Sequence, residues 1–216
     1  MKKLRLGEFE RNSLVVFAIT MIANVLSYLY QIVMGNVLTP ADYGTVNTLL
    51  SLSVVVGVPS GIISALTATY TAKYHAHGET FAIAAFMHGM LAAIVFVVGA
   101  LLSRPIAHVL QIDDPHYVTV VMVLVASNCL GPVFSSTLQG VKRFIPYSMN
   151  SVLSFAFRLL LGVIFVWLGW GILGALAALI LAACLTMLYC LFKSRDLFFA
   201  PVKEKLALDR TEIRRY

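Results

Sequence analysis

The sequence predicts an all-α, polytopic membrane protein built as a six-transmembrane-helix bundle. Three observations carry this expectation. Of 216 residues, 60% are hydrophobic and only 12% are charged, about half of the roughly 25% charged residues of a soluble domain. Six apolar runs follow one another, each near the length of about 20 residues that crosses a hydrocarbon core. The basic residues fall in alternate loops between those runs.

The first run covers 13–34 and follows Lys2, Lys3 and Arg5. It is too long for the apolar core of a signal peptide and has no small-x-small cleavage site, so it reads as a retained first span. The second run covers 44–71, the third 81–102 and the fourth 117–138. The fifth covers 145–168 and the sixth 170–192. Helices are required because lipid offers no partner to backbone groups, and the runs lack the alternation of a membrane barrel. Segment 103–115 reads as a short external helix stopped by Asp113, Asp114 and Pro115. The stretch 197–216 mixes apolar and basic residues as a helix lying on a membrane surface would. The expected organisation is a cytoplasmic tail (1–12), a six-helix lobe (13–192) and a cytoplasmic amphipathic tail or linker (193–216).

Loop charge sets the direction. The two tails and the loops holding Lys73, Lys142 and Arg143 contain 14 of the 16 basic residues, whereas the opposite loops contain only Arg104. The positive-inside rule then places both termini in the cytoplasm of a cell (plasma or inner) membrane. The net charge of +6 is read as topology and lipid anchoring rather than as a nucleic-acid surface. Cys129, Cys184 and Cys190 lie inside apolar runs without metal-ligand spacing and read as small packing residues. No metal or cofactor is expected, and there is no HExxH, P-loop or nucleophile elbow to suggest an enzyme.

Polar residues inside the spans fall into stripes. Thr20, Asn24, Ser27 and Gln31 share one face of the first span, and Ser60, Ser64, Thr67 and Thr71 one face of the second. Asn150, Ser154 and Arg158 share a face of the fifth, and Asn128, Ser135 and Gln139 add polarity to the fourth. Such residues either bond across to neighbouring helices or line a water-accessible cavity. Arg158 is the sharpest signal: it lies 14 residues after Phe144, roughly 20 Å along the helix at 1.5 Å per residue. An arginine that deep costs about 2.5–3.5 kcal/mol on insertion scales. None of the ten acidic residues lies well inside a span. Arg158 therefore faces a cavity that receives an anion, pairs with another polypeptide, or bonds backbone carbonyls. Pro59 and Pro132 interrupt the second and fourth spans and are hinge candidates. His75 and His77 read as solvated loop residues.

Two stretches carry a resemblance. The first is Leu38-Thr39-Pro40-Ala41-Asp42-Tyr43-Gly44, then Leu49-Leu50-Ser51-Leu52, Val58-Pro59-Ser60 and Ala72-Lys73-Tyr74. The second is Leu138-Gln139-Gly140-Val141-Lys142-Arg143-Phe144, then Arg158-Leu159-Leu160-Leu161-Gly162 and Gly169-Trp170-Gly171. In order and spacing the chain resembles the polysaccharide-biosynthesis branch of the multidrug/oligosaccharidyl-lipid/polysaccharide exporter superfamily, over about residues 10–195. The resemblance implies a flippase of polyisoprenyl-linked saccharides that works by alternating access between two six-helix lobes, of which this chain resembles the first. Its partners would be the bilayer, a lipid-linked saccharide and a second lobe, supplied by a missing C-terminal half, a separate chain or a homodimer. Lipid II flippases carry arginines in their first spans, where this chain has Asn24 and Gln31. On this reading the cavity candidates are Arg158, Asn24, Gln31, Ser154, Asn128 and Gln139, and Lys142, Arg143 and Lys73 stand at the cytoplasmic mouth. The competing readings are a cation-coupled drug exporter of the same superfamily, which would need a membrane carboxylate, and a non-transporting membrane subunit.

Overall fold

The computed structural model describes the backbone of residues 2–73, 77–112 and 114–198, and the side chains of 13–73, 80–112 and 114–197. All six apolar runs are helical, and there is no strand among the described residues. Helix α1 spans Lys2–Val37, α2 Pro40–Lys73 and α3 His77–Leu101. A short helix α4 (Ser103–Val109) precedes α5 (Pro115–Gly140), α6 (Phe144–Phe165) and α7 (Gly171–Phe198). Segment 103–115 thus holds the short helix expected there. The chain is a multi-pass membrane protein with an all-α bundle. Its α1 begins inside segment 1–12, while 199–216 and His75 lie outside the described residues, as does the His77 side chain.

Local chemistry explains where the helices stop. Thr39 caps α2: its Oγ1 accepts from the Asp42 amide at 3.2 Å and donates to Asp42 Oδ2 at 2.8 Å. Pro40 sits at the first helical position, where a missing N–H costs nothing. The cap starts α2 four residues before the apolar run does. Asp114 caps α5, its Oδ1 accepting from the His116 amide at 2.8 Å, again with proline next in line. Residues 144–197 form one long helical stretch that turns back on itself at Gly169 (φ 85°) and Gly171 (φ 51°), backbone conformations that glycine alone adopts freely. The reversal brings Asn150 of α6 against Cys190 of α7, with a Sγ–Oδ1 distance of 3.3 Å. Arg143 correspondingly reaches the far end of α7, bonding the Lys193 carbonyl (3.2 Å) and both carboxylate oxygens of Asp196. Trp167 and Trp170 at the turn are exposed, as aromatic residues at a membrane–water boundary are.

Helix α5 is the centre of the bundle and packs against α2, α3 and α7. Its Val118, Val121, Leu124, Val125 and Cys129 are fully buried. Facing it, α7 presents Ala175, Ala178, Ala182 and Ala183, all buried, small side chains of the kind that let membrane helices approach closely. Helix α6 packs on α7 and carries α1 on its other side, while α1 and α2 barely touch each other. Around the bundle the order is α1, α6, α7, α5, α2, with a gap between the two consecutive helices α1 and α2. That gap positions the site.

The α2–α5 contact is close at the backbone. A Cβ on Gly140 would stand 2.7 Å from the Ala68 carbonyl oxygen and 2.6 Å from Thr71 Cβ. Backbone cannot yield as a flexible side chain does, so Gly140→Ala is expected to destabilise the bundle by about 1–3 kcal/mol. A lowered midpoint of thermal unfolding in detergent would show it; an unchanged midpoint would contradict the close approach.

Candidate functional site

The polar stripes do not all face one place. Three of their hydroxyls are satisfied by their own helix, Thr20 bonding the Val16 carbonyl, Ser64 that of Ser60 and Thr67 that of Ile63, while those of Ser60 and Thr71 are buried without a partner. On α2, Ser60, Thr67 and Thr71 are buried. Thr71 packs against α5 at Gly140, so this stripe serves helix packing rather than a cavity wall. Asn150 turns toward α7. His88 of α3 is fully buried.

The gap between α1 and α2 opens a cleft of about 400 Å³, room for roughly a dozen waters at about 30 Å³ each. One wall is Ser27, Tyr30 and Gln31 of α1. The other is Leu50, Ser53, Val54 and Gly57 of α2. Its floor is Leu124 and Asn128 of α5, Phe155 and Arg158 of α6, and Leu179 of α7. The cleft lies well inside the bundle, toward the end that carries the α1–α2 turn. Tyr43 ties that end together: its hydroxyl donates to Gln31 Oε1 at 2.8 Å, and its ring lies over Gly35.

Arg158 is half-buried in the cleft, its guanidinium 5.4 Å from the centre of the Phe155 ring. Among the described residues no carboxylate pairs with it: Asp196 holds Arg143, Asp42 closes the Thr39 cap and Asp114 caps α5. Its Nε is buried without a hydrogen-bond partner. The Tyr30 hydroxyl in the same cleft is also buried and unpartnered, on a side chain only 5% exposed. A buried unmade hydrogen bond costs about 1–3 kcal/mol, and these two lie on different helices that line one cleft, whereas the other buried unpartnered atoms, on Ser60, Thr71 and His88, belong to residues that do not line it.

Of the residues singled out from sequence, the cleft brings together Arg158, Gln31 and Asn128, and Ser27 of the first polar stripe. Asn24 is exposed on the same face of α1, about two turns from Gln31. Ser154 and Gln139 do not line the cleft, and Gln139 is exposed near the end of α5. Lys73, Lys142 and Arg143 stand at the opposite end of the bundle, Lys142 in a turn at φ 62° and Arg143 engaged by Asp196. Pro59 and Pro132 lie within continuous helices, so neither ends its helix. Among the described residues no group of His, Cys, Asp or Glu has the arrangement of a metal site. Sequence reasoning missed Tyr30 and Ser53. Tyr30 stands three residues after Ser27 and one before Gln31, a spacing that places it beside the polar stripe of the first span.

The family model for polysaccharide biosynthesis proteins matches residues 9–215. The chain belongs to that family. The match covers all six spans and the Arg158 cleft. The family is associated with membrane flippases and transporters. Neither the curated proteins nor the solved structures give a significant match.

Proposed function

We propose that this chain is the substrate-facing lobe of a flippase for polyisoprenyl-linked oligosaccharide or polysaccharide precursors, working by alternating access. The observation that carries the reading is Arg158, a cation deep in the bundle, unpaired with any described carboxylate, in a cleft lined by Ser27, Gln31, Ser53 and Asn128. Moving a charged, hydroxyl-rich head group across about 30 Å of hydrocarbon requires a polar path and a charge to meet it. A cation-coupled drug exporter is less favoured because no carboxylate lines the cleft.

A second six-helix lobe supplies the opposite wall. The open side between α1 and α2 leaves Asn24, Gln31 and Asn128 exposed, and hydrocarbon has no partner for their amides. Both ends of the chain lie in the cytoplasm, because the described basic residues Lys73, Lys142, Arg143, Lys193 and Arg195 gather at one end of the bundle and Arg104 stands alone at the other.

Two experiments test this. In a strain that depends on the chain for glycan export, Arg158→Ala is expected to reduce export at least about tenfold, the loss of a charge-assisted contact being roughly 1.5–3 kcal/mol. Leu160→Ala, on a side chain that faces outward, should leave export near wild type; intact export with Arg158→Ala would remove the basis of the reading. A reporter active only in the cytoplasm should be active when fused after Leu197 and silent when inserted at Arg104. The reverse pattern would overturn the orientation.

A further inference from the structure

We infer that Tyr30, Gln31 and Arg158 form a set of hydrogen-bond donors that selects an oxyanion, with Tyr30 as a specificity-determining residue. The inference rests on the reading of the cleft as a substrate path and adds to it the chemistry of the group admitted. Three observations converge. The Tyr30 hydroxyl and Arg158 Nε are both buried, both unpartnered and both in the cleft, on different helices. The Tyr30 ring packs on α6 at Gly162, one helical turn from Arg158. The Gln31 oxygen is occupied by the Tyr43 hydroxyl at 2.8 Å, which leaves the amide –NH₂ as the end of Gln31 available to the cleft.

All three groups therefore offer protons. Arginine has no acceptor at all, one lone pair of the Gln31 amide oxygen is already used, and the Tyr30 hydroxyl has one proton to donate. A cationic ligand brings only more donors. A single water can accept from two donors but must then place two protons of its own. A phosphoryl or carboxylate oxygen accepts several hydrogen bonds with no proton to place, and charge-assisted bonds to it are short and strong. The donors are also held in advance. The Tyr30 ring is seated at Gly162, where a Cβ would stand 3.4 Å from its Cε2, and Met34 packs at the same glycine. Arg158 is steadied by the Phe155 ring at 5.4 Å.

The test is a titration of the purified full chain in nanodiscs of zwitterionic lipid, with three probes: inorganic pyrophosphate, farnesyl diphosphate and an uncharged methyl glucoside. Wild type is expected to bind at least one diphosphate more tightly than the glycoside. Tyr30→Phe keeps the ring and removes only the hydroxyl, and is expected to weaken diphosphate binding about tenfold or more without altering glycoside binding. Tyr43→Phe, which releases the Gln31 amide, should weaken it several-fold; it keeps the inference testable if Tyr30→Phe does not fold. Binding of both diphosphates with equal sensitivity to Tyr30 assigns the site to the phosphate alone. Binding of farnesyl diphosphate only, with that sensitivity, assigns it to a lipid-borne head. Wild-type binding of neither diphosphate overturns the inference. If Arg158→Gln abolishes binding while Tyr30→Phe and Tyr43→Phe match wild type, the donor set is wrong and the transport reading of Arg158 stands. If all three variants match wild type, both fall.

Discussion

Hydrocarbon gives no partner to a polar group, and most of this structure follows from that constraint. It makes every crossing a helix. It also sorts the side chains. A serine or threonine in a span satisfies itself by bonding the carbonyl four residues back, as Thr48, Ser53, Thr69, Thr137 and Thr186 do. Such hydroxyls add little cost and let helices pack closely. Arginine cannot close its donors onto its own turn in this way, and the tyrosine hydroxyl stands too far from its backbone. Among the buried groups left unmade, Ser60, Thr71 and His88 stand away from the hollow, and Arg158 and Tyr30 are the ones that line it.

The fold that creates the hollow depends on unequal packing. Alanines on α7 and Gly140 on α5 bring those helices against their neighbours without space between. The α1–α2 pair is joined mainly at its turn, through the Thr39 cap and the Tyr43–Gln31 bond. Below that clip the two helices part, α1 following α6 and α2 following α5. One interaction, Tyr43 to Gln31, thus closes the turn and aims a cleft side chain, which gives the Leu38–Gly44 stretch a physical meaning.

The sequence made the six crossings legible because each apolar run was long and three boundaries carried their own chemistry: a proline after a capping residue at Thr39 and Asp114, and a glycine pair at φ > 0 at Gly169 and Gly171. Arg158 was legible for the same reason, a charge with no carboxylate at its depth. The stripe of Ser60, Ser64, Thr67 and Thr71 was ambiguous in sequence, since self-bonded hydroxyls look the same on a packing face and on a cavity wall. The actual α2 wall, with Leu50, Ser53, Val54 and Gly57, has almost no polar signature. Tyr30 was hidden because a mid-span tyrosine reads as bulk, and only its seat at Gly162 and its place beside Arg158 in the cleft lining give its unpartnered hydroxyl a meaning. The engagement of Arg143 by Asp196 joins positions 53 residues apart, beyond the reach of spacing arguments.

The central claim is that Arg158 faces an aqueous cleft rather than a dry helix contact. Its most direct test is thiol accessibility. With Cys129, Cys184 and Cys190 replaced by alanine, Arg158→Cys should react with a charged, membrane-impermeant thiol reagent in purified, reconstituted protein. Leu160→Cys, facing outward, should not react. If the cysteine at 158 is as inert as the one at 160, the cleft is closed to water and the account is contradicted.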